Sequence, residues 1–260
     1  MPVYLIKPMA NLLIKVIKVI LYMIAGFFLI IALVIAGIMT PQITGNNTTP
    51  ITQIDPPAYL LPLFVNAGAK YGIPWAFLAT INRIETNYGS SASEVSSAGA
   101  LGPMQFMPST WQEYGKGSPF DYVNAVNASA KMFKQLGMKM SQMTGSQSAY
   151  YVALYSGSYN AGAGNWDNMS FQTINYRTQA SAFYPTIKNS TIIPQALMKY
   201  WESLNSSQLE KMVNKKLSIY PKNYKGAKVK ELTDLVQVVP KPLQKPAQEL
   251  ANSVSKINNA

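Results

Sequence analysis

The pattern of apolar and polar positions breaks first near the amino end, where Val19 to Met39 runs 21 residues without a charge. As a helix rising about 1.5 Å per residue, such a run spans roughly 30 Å, one bilayer hydrocarbon core. It predicts a transmembrane anchor. The alternative is a removable secretory leader, whose apolar region is usually only about 7 to 15 residues. Lys7, Lys15 and Lys18 precede the run and neutral residues follow it. The basic segment 1–18 is therefore expected in the cytoplasm and the rest of this single-pass membrane protein outside.

Residues 40–56 are rich in Thr, Asn, Gln and Pro without a hydrophobic period, as in a tether. From 57 to 204 apolar residues recur at helical spacing, in segments punctuated by Gly and Pro. The expected helices are Ala58 to Tyr71, Pro74 to Tyr88, Pro108 to Tyr114, Asp121 to Leu136, Ala149 to Tyr159 and Pro194 to Leu204. No run alternates over six residues, so the fold class is mainly α. Residues 205–260 look different. From Lys211 onward ten lysines face only Glu231, Asp234 and Glu249, with four prolines among them. That composition predicts an extended, solvated tail, either bland or binding anionic wall polymer or a transport apparatus.

Composition removes whole chemistries. The chain has no cysteine and no histidine, so Ser-His and Cys-His nucleophiles, thiolate redox centres and the usual zinc sites are excluded. No metal or cofactor is expected, and acid-base work falls to a carboxyl group, a lysine or a tyrosine. The net charge of +11 favours polyanionic partners. Nucleic acid ranks lowest, because the charged domain is expected outside the cell.

Carboxylates are scarce: before residue 200 there are only Asp55, Glu85, Glu94, Glu113, Asp121 and Asp167. One is oddly placed. On the helix starting at Pro74, residues Phe77, Leu78, Ile81, Ile84, Glu85 and Tyr88 recur at steps of three and four, so Glu85 shares an apolar stripe. A carboxyl in such surroundings loses hydration and keeps its proton to higher pH than a surface glutamate. A buried ion pair with Arg83, or an exposed side chain on a slightly rotated stripe, stays open as the alternative. Asp121 fits a helix N-cap.

Two further blocks carry polar groups suited to a sugar. Ser96 to Trp111 contains Gly99 and Gly102, which allow tight turns, and Gln105, which offers a donor and an acceptor. Ser158 to Asn165 ends a helix in a glycine-rich turn that carries Tyr159 and Asn160.

These blocks resemble, in order, the motifs of the lytic transglycosylases, whose fold is like goose-type lysozyme. Glu85-Thr86-Asn87-Tyr88-Gly89 is similar to the family's catalytic glutamate motif, and Gly99 through Pro108 to its Gly-Ala-x-Gly-x-Met-Gln block. Tyr159-Asn160-Ala161-Gly162 is similar to its Tyr-Asn-Ala-Gly block. The resemblance covers roughly residues 57 to 190. It implies that Glu85 is the single acid and base, that Ser96 and Gln105 line the cleft, and that Met104 and Phe106 pack beside the substrate. Tyr159 and Asn160 would contact the sugar, and Tyr184 would echo the family's closing tyrosine block. Thr86 departs from the serine that often follows the family's glutamate.

The chemistry so implied is cleavage of peptidoglycan glycan strands between N-acetylmuramic acid and N-acetylglucosamine. Glu85 would protonate the bridging oxygen, then accept the proton of the muramic C6 hydroxyl as it closes on C1 to leave a 1,6-anhydro end. A two-carboxylate glycosidase instead needs a second acid at a matching position. The competing expectations are a hydrolase of the same fold and a non-catalytic, glycan-binding scaffold of a conjugation or secretion machine.

Overall fold

The computed structural model describes residues 56–89, 95–190, 193–217 and 239–258. The chain divides into two compact units, Met1–Thr49 and Pro50–Ala260, and all described residues belong to the second. The basic segment 1–18, the apolar run Val19–Met39, nearly all of the tether and Glu94 lie outside the described residues. Among those described, no helix is long and apolar enough to cross a membrane.

Nine α-helices are described: α1 (Leu61–Tyr71), α2 (Trp75–Thr86), α3 (Pro108–Tyr114), α4 (Tyr122–Gln135), α5 (Ser148–Ala161), α6 (Phe171–Ser190), α7 (Gln195–Glu202), α8 (Ser206–Leu217) and α9 (Gln244–Asn258). Two 3-10 turns, Met140–Met143 and Lys241–Leu243, join them. β-pairing among these residues consists of isolated antiparallel bridges from Val95 to Leu101 and from Leu101 to Phe106. The domain is mainly α, as its spacing predicts.

Local chemistry sets the helix ends. α1 opens with Pro62 in its first turn and stops at Gly72, which takes φ +74° in the left-handed region. The Asp121 side chain accepts from the Asn124 amide at 2.8 Å and caps α4, the role its sequence position suggests. α1 packs on α2, α4 and α7, while α6 lies along α2 and α5. Aromatic edges lock the centre: the Phe77 ring meets Phe133 at 5.0 Å and Tyr184 at 6.0 Å. The fully buried face of α2, with Phe77, Leu78 and Ile81, lies in this core.

α6 is a helix that the spacing argument misses. Its N-terminal half is polar and Pro185 sits inside it, a residue that removes a helical donor and reads as a breaker. Its inner face is nevertheless regular, since Thr173, Tyr176, Ala180, Tyr184 and Ile187 are all buried.

The carboxyl-terminal region also departs from expectation. Where an extended tail was predicted, α8 and α9 are helical and dock: Leu209, Val239, Ala247, Leu250 and Ala251 are buried in the common core. Lysine-rich composition hides two short apolar stripes, Leu209 with Met212 and Ala247 with Leu250 and Ala251, at helical spacing. Asn205 and Gln208 close a reciprocal box at the start of α8, with amide to side-chain oxygen distances of 2.9 and 3.0 Å. The Asn66 amide ties down the preceding turn by donating to the carbonyls of Trp201, Glu202 and Leu204. Residues 218–238 of this region lie outside the described residues.

Candidate active site

Glu85 stands in the last turn of α2, and the turns around that helix end are built to present it. Asn87, Tyr88 and Gly89 take consecutive positive φ angles of 47°, 62° and 76°, so the chain reverses sharply after the helix. A β-carbon on Gly89 would fall 1.7 Å from the Tyr122 hydroxyl, so only glycine fits there. The Thr86 hydroxyl accepts from the Gly89 amide at 3.1 Å and donates to the Pro103 carbonyl at 2.9 Å. Asn82 donates to that same carbonyl at 2.8 Å. Thr86, where the resembled motif often has serine, thus pins the Gly102–Gln105 turn to α2.

That turn orients the next residues in opposite directions. Gln105 adopts φ +49° and donates its side-chain amide to the Gly102 carbonyl at 2.8 Å, which fixes the amide where it lines the cleft. Met104 turns inward: its side chain is fully buried and does not line the cleft, contrary to the expectation that it packs beside substrate. Its contribution is a carbonyl that accepts the Tyr159 hydroxyl at 2.7 Å. Phe106 forms part of the cleft wall, edge-on to Trp111 and Tyr159.

The cleft holds about 590 Å³, and Glu85, Ser96, Gln105, Phe106, Tyr159 and Asn160 all line it. Six of the eight residues picked from sequence are thus brought together. Ser96 also folds its own loop, its hydroxyl accepting from the Ala100 amide at 3.0 Å. The Tyr159 ring stacks on Phe133 and its hydroxyl is committed inward, to Met104 and to Ser129 at 3.1 Å, so the ring rather than the phenol oxygen faces a ligand. The Asn160 side-chain carbonyl accepts from the Thr173 hydroxyl at 3.0 Å, joining the end of α5 to the start of α6.

Tyr184 is the eighth. It is buried against Phe77, its hydroxyl donating to the Met143 carbonyl at 3.3 Å, and it does not line the cleft. The tyrosine that touches Glu85 is two turns earlier on the same face of α6. Tyr176 donates to Glu85 Oε1 at 2.6 Å. It went unseen because its helix did, although the buried face of α6 carries the signal. Gln172, one turn before, lines the cleft and was missed for the same reason.

Burial pushes the Glu85 carboxyl up from 4.5 to about 7, and the Tyr176 hydrogen bond opposes part of that rise. One edge of the side chain remains open to the cleft. Burial, and then the Glu85 charge, hold the Tyr176 hydroxyl well above its ordinary range, so it stays a donor throughout the physiological range. With Oε1 accepting from Tyr176, the proton of neutral Glu85 belongs on Oε2. The Arg83 guanidinium lies over the Phe183 ring, 4.0 Å from its centroid. Glu85 is the one acidic residue among the described lining residues, for neither Glu113, Asp121 nor Asp167 faces the cleft.

The helical domain thus holds one near-neutral carboxylic acid over an open cleft of amides, hydroxyls and aromatic walls, an arrangement suited to acid-base chemistry on a polar ligand. The comparison with known families specifies it further: residues 62–181 match the family described as Transglycosylase SLT domain. That segment is a domain of the lytic transglycosylase family, and membership implies activity on peptidoglycan glycan strands. No solved structure matches the chain.

Proposed function

We propose that the protein cleaves the β-1,4 bond between N-acetylmuramic acid and N-acetylglucosamine in peptidoglycan, leaving 1,6-anhydro-muramic ends. The observation that carries the reading is Glu85: its carboxyl is held near 7 by burial, hydrogen-bonded to Tyr176, and is the sole acidic lining residue described. At that pKa a large share of the population holds the proton at neutral pH, while the ionised form is accessible for the return step. Neutral Glu85 gives its proton to the bridging oxygen as the sugar bond breaks. The resulting carboxylate then takes the proton of the C6 hydroxyl as that oxygen closes on C1, so no water is consumed. Tyr176 favours this second state, because its hydrogen bond is stronger to a carboxylate than to an acid.

Mass spectrometry of muropeptides released from sacculi tests the reading. Anhydro ends are expected; reducing ends would assign the same acid to a hydrolase, and binding without release would leave a scaffold. The uncharged run Val19–Met39, following Lys7, Lys15 and Lys18, supports a membrane-anchored enzyme whose reach is limited to nearby wall, as local remodelling for a transport apparatus requires. Resistance of the protein to carbonate extraction from membranes checks the anchor.

A further inference from the structure

A band of exposed apolar and aromatic residues leads away from the cleft along α6. Phe171 is 85% exposed and Met169 77%, although a large apolar side chain ordinarily finds cover. Phe171, Ile174 and Arg177 follow at three-residue steps, so they form one stripe about 9 Å long on the helix surface. Beside it the Arg177 guanidinium sits over the Trp166 ring, 6.0 Å from its centroid, and Trp166 meets half-exposed Tyr150 edge-on at 5.6 Å. Gly157 fixes the Trp166 segment on α5, since a β-carbon there would meet the Trp166 carbonyl at 2.4 Å. The band begins beside the cleft: Gln172, next to Phe171 in the chain, is a lining residue.

We infer that this band is a second binding surface for the same glycan strand where it leaves the cleft, with Phe171 under a sugar face and Arg177, braced by Trp166, receiving a carboxylate. Its chemistry matches peptidoglycan: sugar rings offer apolar faces to aromatic rings, and the lactyl groups and peptide stems supply carboxylates for a guanidinium. Nearness to the cleft through Gln172 favours this occupant over a separate partner. Asp167 also lies exposed near Trp166, so the band is not a uniformly basic, membrane-seeking surface. The inference rests on the proposed function for the identity of the strand, though not for the fact of binding.

The full-length chain in detergent supplies the test. Phe171→Ser should lower kcat/KM on intact sacculi about fivefold or more through KM, and leave turnover of a short tetrasaccharide that fills only the cleft unchanged. In a Glu85→Gln background it should reduce retention on sacculi. Arg177→Gln should weaken retention on native sacculi but not on sacculi whose carboxylates have been amidated. Unaltered sacculus retention and KM for both variants would overturn the band. If the parent releases no muropeptides while Phe171→Ser still weakens retention, the cleavage reading falls and the band stands.

Discussion

Tyr176 and Glu85 lie 91 positions apart in the chain, yet the phenol hydroxyl of one donates to the carboxylate of the other at 2.6 Å. The contact acts against burial, lowering a carboxyl that desolvation raises. A hydrogen bond to a charged group is worth about 1.5 to 3 kcal/mol, roughly one to two pH units. Tyr176→Phe is therefore expected to move the alkaline limb of the kcat/KM profile upward by about one unit. The lost positioning should also cut the optimum rate, on the order of tenfold. A pH-rate series on sacculi reads both effects. A lowered rate with an unmoved limb would mean that Tyr176 merely packs.

The same burial makes Glu85 a destabilising residue above its unfolded pKa. Its folded pKa of about 7 exceeds the ordinary 4.5, so the folded state holds the extra proton between these values. Stability from this group is complete below about 4.5 and is lost as pH rises through 7. Glu85→Gln should thus leave stability unchanged at pH 4 and raise it at pH 8. The gain is on the order of 2 kcal/mol, after discounting for the edge of the carboxyl open to the cleft. The variant should also lose at least about 10²-fold in rate. Denaturant unfolding at the two pH values, beside a turbidity assay, separates an acid-base residue from a structural one, whose replacement would destabilise at both.

Gly102 and Gly99 both take positive φ, of 69° and 84°, but only one is crowded. A β-carbon on Gly102 would fall 1.9 Å from the Pro119 carbonyl oxygen, whereas one on Gly99 meets nothing within 4 Å. Gly99→Ala should cost only the backbone term, about 1 to 2 kcal/mol. Gly102→Ala should cost roughly 3 kcal/mol or more and displace Gln105 from the cleft. Equal losses of stability in urea titrations of the two variants would show that the Pro119 contact relaxes freely.

What the sequence discloses follows from how far each signal reaches. Glu85 was legible because its neighbours at three and four positions lie on the same helix and are apolar. Gln105 and Asn160 were legible because local turns of glycine present them. Tyr176 was not, since its relation to Glu85 exists only once α6 packs against α2, and α6 itself is masked by polar residues and Pro185. Tyr184, named through the resembled tyrosine block, lies two turns beyond Tyr176 on the same helix, against Phe77 and away from the cleft. Met104 was not legible for a different reason: the turn beside it depends on Gln105 at φ +49°, a left-handed conformation that a residue other than glycine rarely adopts and that its sequence does not signal.

The carboxyl-terminal helices offer the sharpest contrast between composition and packing. Lysine content predicts a solvated tail, in which removing one leucine would change nothing measurable. Leu250 on α9 is instead 1% exposed and belongs to the core shared with α1 and α7. Truncating a buried leucine typically costs about 2 to 5 kcal/mol through lost burial and the cavity left behind. α9 sits at the edge of the domain and can partly collapse onto α7, so Leu250→Ala is expected near the lower end of that range. Denaturant unfolding, followed through the fluorescence of Trp201 in a chain whose Trp75, Trp111 and Trp166 are replaced by Phe, reads the loss. A shift of the whole transition to lower denaturant would show that α9 folds with the domain, because Trp201 itself belongs to α7. An unchanged midpoint would return this segment to the extended tail that its charge suggests.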